Sequence, residues 1–149
     1  MKRTNVILMS AVIVLSLAAC KKKKITPEEE ASKKDLLVNK DWVLTALKLS
    51  MGGQESDEFG SLSACHKDDI YRFEDSGVYT LSEGATKCNP EDTDKGKWTL
   101  NSDQNVLTVM TSDTTKFDVI EITETSLKVS STESLNGIPV KETSTFSKK

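Results

Sequence analysis

The residues best suited to chemistry surround the single histidine of this 149-residue chain. His66 follows Cys65 and precedes Lys67, Asp68 and Asp69. A nucleophilic active site would require this imidazole to be oriented by a carboxylate and to face a serine hydroxyl. Neighbouring acids alone do not meet that requirement, because any polar loop offers as many. The sequence therefore predicts an exposed loop histidine and a protein that is not an enzyme.

The sequence also does not match the motifs of known metal or cofactor sites. Glu91, Asp92 and Asp94 offer carboxylates for calcium, but their spacing differs from that of loops with defined ligand positions. Cys65 and Cys88 with the one histidine make a poor metal site. The sequence also lacks a glycine-rich phosphate-binding motif. We therefore predict no metal and no cofactor.

The first 20 residues have the pattern of a secretory signal. Lys2 and Arg3 precede an apolar run at 6–17, which is too short to span a membrane comfortably. The segment LAAC at 17–20 resembles the bacterial lipobox. That resemblance implies removal of a signal peptide at 1–19 and lipidation of Cys20; the alternative is an ordinary secretory signal with a chance cysteine.

A lipid on Cys20 would anchor the chain stably, since several acyl chains hold a protein where one binds only marginally. The lysines at 21–24 are predicted to be a solvated spacer, with contact to anionic headgroups as the alternative. Some bacterial groups send lipoproteins to the cell surface by an acidic run at this position, and this chain lacks one. We therefore expect an outer-membrane lipoprotein whose domain faces the periplasm, with the cell surface as the alternative.

The tether at 20–40 is predicted to contain a short helix. Thr26 is a suitable N-cap, and Pro27 suits the first turn. Leu36, Leu37 and Val38 would dock the end of the tether onto the folded body.

The body, residues 41–149, has the pattern of an all-β domain. Short segments of β-forming residues alternate with turn residues such as Asp75-Ser76-Gly77 and Asn136-Gly137. Eight strands are predicted, at 43–49, 69–73, 78–81, 96–100, 106–110, 116–122, 127–131 and 138–146. Such a pattern is typical of an up-and-down barrel or a sandwich.

The connections favour an eight-stranded antiparallel up-and-down barrel, because neighbouring strands can be joined by hairpins without the crossings a sandwich needs. Strand alternation places the long loops at 50–64 and 83–95 on the same rim. Those loops bring together Cys65 and Cys88, and an oxidising compartment would join them in a disulfide worth roughly 3 kcal/mol.

Residues two apart share a face of each strand, which predicts the barrel interior. The predicted interior pairs are Tyr71 and Phe73, Tyr79 and Leu81, Trp98 and Leu100, Leu107 and Val109, and Leu127 and Val129. The last strand continues its interior face from Ile138 and Val140 into Glu142 and Ser144, so a charge is expected to enter the interior unless a bulge intervenes. Trp42, at the start of the first strand, would lie at the opposite rim from the disulfide.

A set of motifs identifies a family resemblance. The motifs are Trp42, the run Cys65-x-x-Asp68-Asp69-x-Tyr71-x-Phe73, the turn Asp75-x-Gly77-x-Tyr79, Cys88, and Gly96-x-Trp98-x-Leu100. Over about residues 40–147 the chain resembles the small lipocalin-like lipoproteins of Bacteroidetes-type bacteria. The resemblance implies a barrel open at one end, a small apolar ligand in its cavity, and Trp42 at the closed end.

Two functions remain as hypotheses. In the first, a lipid-anchored module binds a small apolar ligand through candidate contacts Phe59, Leu62, Tyr71, Phe73, Tyr79 and Trp98. In the second, the barrel is filled and its loops contact an unknown protein partner, as an inhibitor would. Nucleic acid is excluded as a partner, because residues 35–149 carry 12 Lys and Arg against 20 Asp and Glu, a net charge of −8.

Overall fold

The computed structural model describes residues 31–149, and the segment begins with a short helix, α1 (Lys33–Leu37). Ser32 caps it: its hydroxyl accepts from the backbone N–H of Asp35, whose carboxylate accepts in turn from the Ser32 backbone. The predicted cap, Thr26, lies outside the described residues. Leu37 at the helix end is buried in the core and Val38 packs against it, so this end of the segment contacts the barrel. In the described part of the chain, no helix has the length and apolarity that membrane crossing requires.

Nine strands follow, each antiparallel to its neighbours. They are β1 (Asp41–Met51), β2 (Gln54–Asp57), β3 (Ile70–Phe73), β4 (Val78–Ser82), β5 (Asp94–Leu100), β6 (Val106–Met110), β7 (Thr114–Ile122), β8 (Ser126–Leu135) and β9 (Ile138–Lys148). β1 pairs with both β3 and β9, so eight strands close into a barrel. The predicted eight-stranded antiparallel barrel is confirmed.

The ninth strand, β2, lies in the region predicted to be a polar loop. Gly52 and Gly53 have positive φ and turn the chain back, so that β2 pairs with the end of β1. A 3₁₀ turn (Phe59–Ser61) and a short helix, α2 (Ala64–Lys67), complete the connection to β3. The sequence QESD has no apolar alternation because all four residues of β2 are exposed.

A bulge in β1 decides which of its side chains face the interior. Trp42 and Leu44 are buried, and the pairing with β9 then shifts by one residue between Leu44 and Ala46. Strict alternation would have sent Lys48 inward; the extra residue instead directs Leu47 toward the interior.

β9 has no such shift against β8, so its predicted interior face continues from Val140 through Glu142 to Ser144. The prediction was wrong for Ile138, which is exposed because it pairs with Leu135 where β8 extends past its pairing with β7.

Trp42 closes one end of the barrel. Its side chain is fully buried, and its indole N–H donates to the Leu37 carbonyl of α1 at 3.0 Å. Trp98 is buried nearby against Phe73, with ring centroids 5.7 Å apart, and its indole N–H donates to the Glu74 carbonyl at 2.9 Å. Both indoles therefore pack without leaving a buried donor unpaired.

The predicted interior pairs are at least partly buried on the expected faces. Tyr79, Leu107, Leu127 and Val129 are buried, and Leu81, Leu100 and Val109 pack against them. The predicted Asp75-Ser76-Gly77 turn is also present, with Gly77 at a φ of 85°.

Candidate ligand-binding site

Cys65 and Cys88 form the predicted disulfide, with Cα atoms 5.3 Å apart. The disulfide ties α2 to the β4–β5 loop at the end of β3 opposite Trp42. The barrel therefore has one end closed by α1 and Trp42 and one rim stapled by the disulfide.

Two adjoining cavities lie inside the barrel, with volumes of about 190 Å³ and about 350 Å³. They share three aromatic walls, Tyr71, Phe117 and Phe146. Tyr71 and Phe146 meet edge to face with ring centroids 5.0 Å apart. The larger cavity reaches the stapled rim, because Leu62 and His66 also line it.

The smaller cavity is mainly apolar. Alternation along β6 and β8 directs two side chains of each strand into it, and β3 and β4 also contribute; the lining residues include Phe73, Tyr79, Leu107, Val109, Leu127 and Val129. Burial raises the pKa of the Tyr79 phenol above its ordinary value. The Tyr79 hydroxyl that faces this cavity is therefore uncharged near neutral pH.

Carboxylates line the larger cavity. Asp69 stands just before β3, Glu142 is on β9, and Asp92 belongs to the β4–β5 loop. Ser144 donates its hydroxyl to Glu142 Oε1 at 3.3 Å. The predicted entry of a charge on the last strand is thus confirmed, and the interior is more polar than an apolar ligand site requires.

Asp69 is the most deeply buried of these acids, with 2% of its surface exposed. Its Oδ2 atom lies 3.4 Å from Nδ1 of His66, and its Oδ1 atom has no hydrogen-bond partner among residues 31–149. Burial raises the pKa of Asp69, and the adjacent His66 opposes that shift. The burial cost of this carboxylate is therefore only partly offset by its surroundings.

The same acids affect the pKa of Tyr71. Burial raises the pKa of its phenol to about 12, and the negative charges of Asp69, Asp92 and Glu142 add to the shift. All three carboxylates thus contribute negative potential at the wall that the two cavities share.

Two more acids fix the rim loops. Glu83 accepts the backbone N–H groups of Cys88 and Asp92 at 2.9 and 3.1 Å, which lowers the pKa of Glu83. Asp68 accepts the backbone N–H of Thr86 at 2.9 Å, which likewise lowers its pKa. These bonds hold the loop that carries Asp92 against the barrel.

The sequence profile of the lipocalin-like domain family matches residues 38–129, more than half of the chain. The chain belongs to the lipocalin-like domain family. A comparison with curated proteins finds no significant match. The matched segment runs from β1 to the first part of β8 of the lipocalin-like barrel, a fold of the ligand-binding type.

Four of the six predicted contacts line the cavities of this lipocalin-like barrel. Tyr71 lines both, Phe73 and Tyr79 line the smaller cavity, and Leu62 lines the larger one. The other two lie outside both linings. Phe59 packs under the Lys67 ammonium, 5.6 Å from the ring centroid, and Trp98 is buried toward the closed end.

Sequence reasoning missed Phe117, Phe146, Asp69 and Asp92 as cavity residues. Phe146 lies four residues after Glu142, so the period of the last strand could have found it. Asp92 carried no comparable signal, because its loop has no regular period.

The prediction of an exposed loop histidine was wrong: His66 lies in α2 and is partly buried, because the carboxylates of Asp69 and Asp92 pack against its ring. His66 Nδ1 lies 3.5 Å from Asp92 Oδ2 and 3.6 Å from Cys88 Sγ, in addition to its contact with Asp69. In residues 31–149, Cys65, His66 and Cys88 are the one group of potential metal ligands close enough to share an ion. The disulfide consumes both thiolates, so this group does not fit a metal in the oxidised protein.

Proposed function

We propose that this chain is a lipid-anchored envelope lipoprotein whose lipocalin-like barrel binds a small, largely apolar molecule. One observation carries the proposal: two adjoining cavities share aromatic walls below the disulfide-stapled rim. The larger cavity, at about 350 Å³, is within the range of small-molecule sites, which begins at roughly 300 Å³. The smaller one extends the same space with a mainly apolar lining, in which Asp94 is the one charged residue.

The anchoring part of the proposal is supported by the sequence at 1–24. The LAAC segment supplies Cys20 for lipidation, and the lysines that follow lack the acidic sorting signal of surface lipoproteins. The disulfide supports a compartment outside the cytoplasm. We place the protein in the outer membrane of a Bacteroidetes-type bacterium, with the barrel facing the periplasm.

The binding part is tested by native mass spectrometry of the full chain, extracted gently from its own envelope. We expect an additional mass that is lost on denaturation. The variant Val109→Trp fills the smaller cavity and should remove that mass, whereas Thr108→Trp adds the same bulk to the other face of β6 and should retain it. Ligand-free wild-type protein would contradict the proposal.

A second function is favoured by one surface. β1, β2, β8 and β9 extend beyond the barrel, and they expose Met51 (49%), Leu135 (60%) and Ile138 (47%). Such apolar side chains would suit a protein-interaction or inhibitor module. Ligand-free protein that retains a co-purifying protein, and loses it in Leu135→Ser, would favour this reading.

A further inference from the structure

The larger cavity has a strongly one-sided charge. Asp69, Asp92 and Glu142 line it, and His66 is the one basic residue among its lining residues. Even a protonated imidazole supplies one positive charge against three carboxylates. A binding site with this composition repels anions and favours a ligand that brings positive charge.

Nearby lysines do not supply the missing charge. Lys67 donates to the Gly60 carbonyl at 3.0 Å, and Lys87 lies 3.8 Å from Glu83. Neither residue lines the cavity. The excess of carboxylates is therefore a property of the cavity itself.

Asp69, which lines the cavity, has a hydrogen-bonding capacity that the described residues do not use. Its side chain is almost entirely buried, and its Oδ1 atom has no hydrogen-bond partner in the described part of the chain. A buried carboxylate oxygen without a donor costs free energy, and in native structures such a group often marks the place of a water, an ion or a ligand. An ammonium or guanidinium group would supply the donor and the charge together.

The walls beside these acids are aromatic. Tyr71, Phe117 and Phe146 line the larger cavity and continue into the smaller one. Aromatic faces attract cations as well as apolar groups. A ligand can therefore place a positive group among the carboxylates and an apolar body along the aromatic walls.

We infer that the ligand is a small amphipathic cation, whose positive group pairs with Asp69 and Glu142 and whose apolar body lies against Tyr71, Phe117 and Phe146. This inference rests on the proposed function, because it names the chemical class that the proposed binding site accepts.

The test uses three probes of similar size: phenethylammonium, 2-phenylethanol and 3-phenylpropanoate. Their binding to the full chain in lipid nanodiscs is measured by calorimetry, with empty nanodiscs as the blank. We expect the ammonium to bind about tenfold or more tightly than the alcohol, and the carboxylate to bind most weakly. Calcium chloride at the same concentration should not displace the ammonium.

Two variants connect the preference to the named residues. Asp69→Asn and Glu142→Gln should each reduce the difference in affinity between ammonium and alcohol. Asp118→Asn removes an exposed carboxylate on β7 and should leave the difference intact. The second cavity variant keeps the test decisive if one of the two fails to fold.

The outcomes separate the inference from the proposed function. If alcohol or carboxylate binds as tightly as ammonium, if the cavity variants leave the preference unchanged, or if calcium displaces the ammonium, the amphipathic cation is wrong and the binding function stands. If none of the three probes binds while native mass spectrometry still shows an additional mass, the amphipathic cation is wrong and the binding function stands; if neither experiment detects a ligand, both fail.

Discussion

Asp69 Oδ2 lies 3.4 Å from His66 Nδ1, and it is the buried partner of the two. Asp92 approaches the same nitrogen at 3.5 Å, so one imidazole is placed beside two carboxylates at the mouth of the larger cavity. This arrangement leaves the second oxygen of Asp69 without a donor among residues 31–149. The unpaired oxygen therefore lowers the stability of the ligand-free protein. Local destabilisation of this kind is common where a protein binds a ligand.

Replacing that carboxylate should stabilise the ligand-free protein. We expect Asp69→Asn to raise the free energy of unfolding at pH 7 by an amount on the order of 1 kcal/mol, because a buried charge is removed. Burial raises the pKa of Asp69 in the folded chain, so the folded state holds this proton more tightly than the unfolded state does. The advantage of the variant should therefore shrink as the pH falls toward the ordinary value of 3.8.

Urea unfolding at pH 7 and at pH 4 measures this effect, with Asp118→Asn as the exposed control. A lower stability of Asp69→Asn at pH 7 would show that the contact with His66 outweighs the burial cost.

The closed end should depend on the hydrogen bond between Trp42 and Leu37. Trp42→Phe keeps most of the ring but leaves the Leu37 carbonyl without its donor, at a cost of roughly 1–3 kcal/mol. Trp42→Ala should cost about 3–5 kcal/mol, because a buried ring is lost. Denaturant unfolding of both variants tests the two terms separately, and equal stability of Trp42→Phe and wild type would contradict the role of the indole N–H.

The disulfide should stabilise the rim mainly through the unfolded chain. Replacing Cys65 and Cys88 together by alanine should lower the free energy of unfolding by roughly 3 kcal/mol on the loop-entropy account. Calorimetry of the double variant, compared with wild type in the presence and absence of reductant, measures it. Reductant should not change the stability of the double variant. If it did, the lower stability of the variant would have a cause other than the missing disulfide.

Glu83 should make the rim sensitive to acid. Its pKa is lowered by the N–H groups it accepts, so its stabilising contribution is present above the ordinary value of 4.5 and is lost as the pH falls below it. At neutral pH, Glu83→Ala should increase amide exchange at Cys88 and Asp92. Glu91→Ala removes an exposed acid from the same loop and should leave that exchange unchanged.

Gly96 should be needed for the pairing of β5 with β6. A Cβ at this position would overlap the backbone carbonyl of Met110, which cannot move without opening the strand pair. We expect Gly96→Ala to cost roughly 1–3 kcal/mol in denaturant unfolding. Gly60→Ala is the matched control, because a Cβ there meets no atom within 4 Å; equal effects would place the cause outside this contact.

The two-residue period of the apolar side chains and the positions of the turn residues were enough to predict the barrel. Alternation along β8 identified Leu127 and Val129 as interior residues, and strand order placed Cys65 and Cys88 on one rim. The bulge in β1 was not predictable, because Thr45 and Ala46 fit a regular strand as well as a bulge. Strand β2 was missed because an exposed hairpin needs no apolar pattern.

The candidate site was only partly predictable, and the neighbours Asp68 and Asp69 show why. In sequence they are equivalent loop acids. In the fold, Asp68 accepts a backbone N–H at the rim, whereas Asp69 is buried beside His66 on the cavity. Which of the two turns inward depends on where α2 ends and β3 begins, and a boundary of that kind is not fixed by composition.

The central claim, that the barrel interior is the binding site, is tested most directly by a methyl-resolved NMR titration of the full chain with phenethylammonium. We predict saturable shifts of the cavity methyl groups of Val109, Leu127 and Val129, and no shifts at Met51 or Leu135 on the extended strands. Shifts confined to Met51 and Leu135, with the cavity methyl groups unchanged, would contradict it.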